Sequence, residues 1–160
     1  SCAVNISMAI VNLSELKATL PRRQCLLGID LGSKTIGMAI SDTSGIIASP
    51  LDTLKRGKFC DDSAKLVALI KEHQIGGIVL GLPISMNGCE GPRCQATRQF
   101  AMNLLAAFDI PISFWDERLS TAAVERVLIS EADMSRKRRG EVVDKMAAAY
   151  ILQGALDAAG

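Results

Sequence analysis

Four carboxylates occupy positions where a negative charge is costly unless it has a role. Asp30 lies near the end of one apolar run, and Asp116 and Glu117 follow another. Asp144 lies on the apolar stripe of a predicted C-terminal helix, one turn before Ala148. Burying a carboxylate is unfavourable unless it is paired or binds a metal ion. Their positions therefore predict a shared chemical task.

Carboxylates from two strands and a closing helix can converge on one rim of an open α/β sheet, where such sheets bind ligands. Their mutual repulsion is relieved by hard divalent cations, so the expected cofactor is Mg²⁺ or Mn²⁺. Two such ions about 4 Å apart are the usual apparatus for phosphodiester hydrolysis. Nucleophilic triads are disfavoured, because the only histidine, His73, lies at the end of a predicted helix. The structural alternatives are a turn-capping Asp30 and a Glu117 paired with Arg118.

Basic residues accompany the acidic ones in or near the same predicted loops. Eighteen Lys and Arg against seventeen Asp and Glu give a net charge of +1, so affinity for nucleic acid must come from where the charges lie. Arg98 lies close to this rim, and the run 136–139 is a concentrated positive patch whose alternative interpretation is a solvated loop. The candidates for contacts with nucleic acid are Lys34, Arg93, Arg118, Arg136, Arg138 and Arg139.

The elements that position these side chains follow from the apolar periodicity. Three strands joined by tight turns between Cys25 and Leu54 predict an antiparallel meander. Two helix–strand units follow, with helices over 59–73 and 93–108 and strands over 77–81 and 110–115, and then helices over 120–129 and 141–158. A polar loop is expected over 131–140. We predict an N-terminal extension, 1–24, and a single domain, 25–160.

Composition excludes several classes of protein. Apolar residues make up 49% and charged residues 22%, the balance of a soluble globular chain. Five scattered cysteines lack zinc-ligand spacing and indicate free thiols in a reducing compartment, so we expect a cytoplasmic protein. No apolar run is long enough to span a membrane. An actin-like ATPase, whose first phosphate loop resembles residues 30–34, needs a second lobe for which 160 residues leave no room.

Four ordered motifs resemble the YqgF/RuvX family, described as Holliday junction resolvases and as pre-16S ribosomal RNA nucleases. They are GIDLGSKTIGMAISD at 28–42, GLPISMNG at 81–88, DERLST at 116–121 and DKMAAAYILQ at 144–153. The resemblance covers about Leu26 to Leu156. It implies an RNase H-like α/β fold: a five-stranded mixed sheet, antiparallel in strands 1–3 and then parallel, with helices on both faces.

The resemblance also implies a function and a set of ligands. It implies a Mg²⁺- or Mn²⁺-dependent hydrolase acting on structured nucleic acid, either at the 5′ end of pre-16S rRNA or on Holliday junctions. The implied metal ligands are Asp30, Asp144 and one of Asp116 and Glu117, which a strand directs to opposite faces; we choose Asp116. Related resolvases often carry a carboxylate after the fourth strand, and Gly81-Leu-Pro supplies none, which leaves one or two metal ions open.

Two alternatives stay open at this point. The same fold could serve as a non-catalytic module that binds nucleic acid or protein. The oligomeric state is either monomer or homodimer, since symmetric cutting of a four-way junction needs two active sites whereas trimming an RNA end needs one.

Overall fold

The computed structural model describes residues 10, 13, 16, 24–32, 34–84, 87–117 and 136–159, without the side chains of 136–145 and 159. In this part of the chain the strands are β1 Cys25–Leu31, β2 Thr35–Ser41, β3 Ala48–Lys55, β4 Ile75–Leu82 and β5 Ile112–Asp116. The helices are α1 Phe59–Glu72, α2 Pro92–Ala107 and α3 Arg136–Ala159.

The five strands form one mixed sheet in the order β3-β2-β1-β4-β5. β1 pairs antiparallel with β2, and β2 antiparallel with β3, as the short turns between them require. β1 pairs parallel with β4, and β4 parallel with β5, each after a helical crossover. The meander, the parallel half and the α/β class predicted from the sequence are all confirmed.

Alternating side chains give the central strand β1 two different faces. Leu27, Ile29 and Leu31 pack into one core with residues of α1 and α2. Leu26, on the other face, packs into a second core with α3. Helices therefore cover both faces, as expected, and Asp30 alternates onto the face covered by α3.

The start of the last helix differs from the sequence prediction. The last helix begins at Arg136 and not at Glu141, so the basic run is helical backbone and the predicted loop over 131–140 is wrong for 136–140. Arg and Lys are good helix formers, and a single glycine is tolerated inside a helix supported by packing. The predicted helix over 120–129 lies outside the described residues.

The predicted N-terminal extension contributes to the domain's core at the points that are described. Ile10 forms a parallel bridge with Ile112 of β5. Leu16 is 1% exposed and packs in the core under α3. Leu13 and Leu16 are helical.

The turn between β2 and β3 is closed by Asp42. Its carboxylate accepts hydrogen bonds from the Ser44 hydroxyl and from the backbone N–H groups of Ile46 and Ile47, the latter two at 2.8 and 3.1 Å. These donors, the Ser44 hydroxyl first, lower the pKa of Asp42 from 3.8 to about 2.

This shift predicts a pH-dependent contribution of the turn to stability. A carboxyl group with a lowered pKa in the folded state stabilises the fold above its unfolded pKa, and that contribution is lost as the pH falls through the folded pKa. The melting temperature of wild type should therefore exceed that of Asp42→Ala by a constant margin above pH 5, and the margin should shrink between about pH 4 and pH 2. Thermal denaturation followed by circular dichroism measures it. A margin unchanged down to pH 2 would contradict the role of the charge.

Candidate active site

The carboxyl ends of β1, β4 and β5 meet at one edge of the sheet, because these strands are parallel. Asp30 is the penultimate residue of β1 and is only 7% exposed. Asp116 ends β5, and Glu117 follows it directly. The sheet thus brings the strand-borne acidic residues predicted from the sequence to the same edge.

Glycines flank Asp30 on both neighbouring strands. On β2, Gly37 is the direct partner of Asp30. On β4, Ile29 pairs with Leu80, so the next residue, Gly81, lies beside Asp30. Partners in register project from the same face of a sheet. Neither neighbouring strand therefore places a side chain of its own directly beside Asp30.

Glu117 and Ile151 share the space above Gly81. A Cβ atom built on Gly81 would lie 3.0 Å from Glu117 Oε1 and 2.7 Å from Ile151 Cδ1. Gly81 is also the register partner of Trp115, so Trp115 and Glu117 share the face that carries Asp30. The Glu117 carboxylate therefore lies over β4, the strand next to β1 and Asp30.

Asp116 lies on the other side of β5. It pairs with Leu82 and follows Trp115, whose side chain packs in the core under α3. Alternation along the strand directs Asp116 to the same side as Phe114, which packs in the core of α1 and α2. Alternation along β5 therefore directs Asp116 away from Asp30, whereas Glu117 lies on the side of Asp30.

Helix α3 packs tightly over the same face. A Cβ atom on Gly28 would lie 2.7 Å from Leu152 Cβ and 3.1 Å from the Ala148 carbonyl oxygen. Only glycine allows this approach of helix to strand two residues before Asp30. Asp144 lies one turn before Ala148 in the helix, and its side chain is outside the described residues.

The donor set suits a hard divalent cation in its chemistry. Asp30 and Glu117 supply carboxylate oxygens, which Mg²⁺ and Mn²⁺ prefer, and the missing side chain of Gly81 lets Glu117 approach the side of Asp30. Where side chains are described, no group of three potential ligands forms a metal site. A third ligand from α3 would have to come from the undescribed stretch that contains Asp144.

The predicted phosphate contacts fall into three groups. Lys34 and Arg93 line a single cleft of about 710 Å³, together with Arg56, which the sequence analysis did not select. Arg98 is engaged elsewhere: its Nε donates to Glu90 Oε1 at 2.7 Å, and its guanidinium lies 5.0 Å from the Phe114 ring centroid. The remaining candidates lie outside the described side chains; they are Arg118, Arg136, Arg138 and Arg139.

Two features of this region were not predicted from the sequence, although the pattern contained a signal for each. Arg56 follows the end of β3, and Thr35↔Lys55 pairing of the meander brings that end beside Lys34. In the sequence, Gly81 was interpreted as the absence of a carboxylate after the fourth strand. In the structure, its lack of a side chain leaves space that Glu117 occupies. The signal was a glycine at the carboxyl end of a parallel strand.

No helix in the described ranges is long and apolar enough to cross a lipid bilayer.

A family model described as "RuvX: Holliday junction resolvase" matches residues 24–158.

Relatives with similar sequences span almost the same length. A protein of Paramagnetospirillum magneticum, provisionally named a pre-16S rRNA nuclease, is 61% identical over 150 residues, covering 94% of this chain and 96% of its own. A protein of Phenylobacterium zucineum with the same provisional name is 56% identical over 151 residues, covering 94% and 97%.

The fold is similar to that of a solved nuclease complex. Thermus thermophilus RuvC bound to a Holliday junction substrate superposes with a TM-score of 0.53 at 13% sequence identity, covering 84% of this chain and 94% of RuvC. At that identity the likeness concerns the fold, which is RNase H-like. The match to the family model over nearly the whole chain and the high identity of full-length relatives place this protein in the RuvX family.

Proposed function

We propose that this protein is a divalent-metal-dependent nuclease that hydrolyses phosphodiester bonds at the 5′ end of pre-16S ribosomal RNA. The observation that carries the proposal is the Glu117 carboxylate over Gly81, on the same face and edge of the sheet as the buried Asp30. Relatives that are 56–61% identical are named for this RNA substrate, and this supports RNA over the DNA junction of the more distant RuvC.

We assign the metal ligands to Asp30, Glu117 and Asp144. The choice of Asp116 made from the sequence stays a prediction, and the position of Glu117 is the reason to prefer the neighbouring carboxylate. In this assignment Glu117, which follows β5, takes the place of the carboxylate that related resolvases carry after their fourth strand. Gly81 is then required for its lack of a side chain.

The protein's own groups contribute position and charge. A bound Mg²⁺ or Mn²⁺ supplies Lewis-acid activation of the scissile phosphate and lowers the pKa of a water molecule. Asp30, held within the central strand and 7% exposed, has little freedom to move, so its carboxylate is preorganised. Cationic side chains at the same edge orient the substrate's phosphates.

The test compares two substrates under matched conditions. A 5′-extended pre-16S rRNA fragment and a four-way DNA junction are incubated at one salt concentration with Mg²⁺, with Mn²⁺ or with EDTA. We expect cleavage of the RNA with either metal and none with EDTA, and slower or no cleavage of the junction. Faster cleavage of the junction would assign the protein to DNA resolution.

The non-catalytic alternative has a distinct outcome in the same experiment. Tight, salt-sensitive binding of the RNA without cleavage of either substrate would identify a binding module of RNase H-like fold. That result would contradict the nuclease proposal.

A further inference from the structure

The cleft that contains Lys34 and Arg93 lies on the opposite side of β1 from the candidate metal site. Leu31 lines the cleft and packs with α1 and α2, whereas Asp30, the residue before it, alternates onto the face of α3. Gly32 continues from the strand into the cleft wall. The two sites therefore share the end of one strand without sharing a side chain.

Three cationic side chains from three parts of the chain line this cleft. Lys34 comes from the turn before β2, Arg56 from the residue after β3, and Arg93 from the first turn of α2. The Arg56 N–H donates to the Lys34 carbonyl oxygen at 2.9 Å, and Arg56 Nη1 donates to the Gly32 carbonyl oxygen at 2.8 Å. These bonds fix the Arg56 guanidinium over the β1–β2 turn.

The lining contains no carboxylate to balance these charges. Its other members are small or neutral: Leu31, Gly32, Thr35, Pro92, Ala96 and Thr97. Among the described residues, the side chains of Lys34 and Arg93 form no ion pair, and Glu90 is occupied by Arg98. Cations held together without an anion repel one another, so the cleft is suited to an anionic ligand.

Helix α2 adds to the positive potential. Its first two residues, Pro92 and Arg93, line the cleft, no side chain caps its N-terminus, and its first turn contains no acidic residue. The N-terminal end of a helix carries a partial positive charge that favours phosphate. The volume of about 710 Å³ falls within the usual range of small-molecule binding sites.

We propose that the cleft of Lys34, Arg56 and Arg93 binds a phosphate group of the nucleic-acid strand, and that this group is a different one from the phosphodiester that is hydrolysed. This proposal rests on the proposed nuclease function for its ligand, since the cleft adjoins the strand end that carries Asp30. The phosphate is either internal to the strand or its terminal phosphomonoester; both present the same anionic oxygens to the same three cations. A nucleic-acid strand bound in the cleft on one side of the sheet would cross the end of β1 and reach the carboxylates on the other side of the sheet.

Binding in EDTA tests the cleft separately from cleavage. Fluorescence anisotropy with a labelled pre-16S rRNA fragment gives Kd over a series of salt concentrations, for wild type, Arg56→Gln/Arg93→Gln and Lys65→Gln/Lys71→Gln. Lys65 and Lys71 are exposed on α1 and do not line the cleft. Each double variant removes two positive charges, so both change the net charge from +1 to −1. The cleft variant should raise Kd about tenfold and lower the slope of log Kd against log salt by about 1 to 2, with the control within about twofold.

Equal weakening by the two double variants, or no weakening by either, would overturn the proposal. If the melting temperature of Arg56→Gln/Arg93→Gln is lower than that of wild type, the test is repeated with Lys34→Gln, which replaces an exposed side chain. Fragments with a 5′-phosphate or a 5′-hydroxyl identify the phosphate: a preference for the 5′-phosphate that only the cleft variant loses indicates the terminal group, and equal loss on both fragments indicates an internal one. If neither substrate is cleaved but the cleft variant binds the RNA more weakly than wild type and the control variant do, the nuclease proposal fails and phosphate binding by the cleft stands.

Discussion

Replacing Asp30 with Asn is expected to lower Mg²⁺-dependent cleavage by more than about 100-fold. Loss of a group that merely supports a metal ligand already costs about 10- to 100-fold, and Asp30 is assigned as a ligand itself. The fold should survive, because Asn has nearly the same shape and removes a charge from a site that is 7% exposed. We therefore expect the melting temperature in EDTA to stay within about 5 °C of wild type.

A second measurement separates loss of metal binding from a general defect. A ligand that binds only the folded state raises the melting temperature, so Mn²⁺ should stabilise wild type and leave Asp30→Asn unchanged. Asp109→Asn is the matched control, since Asp109 is exposed and precedes β5, at the sheet edge opposite the site. Persistent cleavage by a clean preparation of Asp30→Asn would remove Asp30 from the reaction.

The sheet and its edge were predictable because they depend on local patterns. Three short strands separated by tight turns are expected to be antiparallel neighbours, and the helical crossovers that follow require parallel strands. Asp30 stood out because a carboxylate inside an apolar strand needs a compensating partner. These inferences use neighbours in sequence, and the structure confirms the elements from which they start.

The details that the sequence did not give depend on register between strands that are distant in the chain. Gly81 lies beside Asp30 because β4 pairs with β1 at Ile29↔Leu80, a register that no local pattern contains. The choice between Asp116 and Glu117 likewise depends on which face Trp115 takes, and Trp115 is large enough to pack on either side. Arg56 joined the cleft through the pairing of β2 with β3.

Glu117→Gln and Asp116→Asn should have unequal effects on cleavage. We expect the Glu117 variant to lose more than about 100-fold of the Mg²⁺-dependent activity and the Asp116 variant to stay within about tenfold of wild type. The reason is geometric: Glu117 Oε1 lies 3.0 Å from the Cβ position of Gly81, on the side of Asp30, whereas alternation along β5 directs Asp116 away. Each substitution removes one charge and preserves the side-chain length, so the pair differs chiefly in which side of the sheet is changed.

Single-turnover cleavage and the Mn²⁺-induced change in melting temperature measure the two variants in parallel. Glu117→Gln should lose both cleavage and the metal-induced stabilisation, and Asp116→Asn should keep both. Gly81→Ala reaches the same site without touching a carboxylate: the added methyl group would press on Glu117 Oε1 and on Ile151 Cδ1, 2.7 Å away, so cleavage should fall with it. The reverse ranking, with Asp116→Asn inactive and Glu117→Gln active, would return the metal ligand to Asp116. It would also mean that the space above Gly81 serves packing with α3 and has no part in the chemistry.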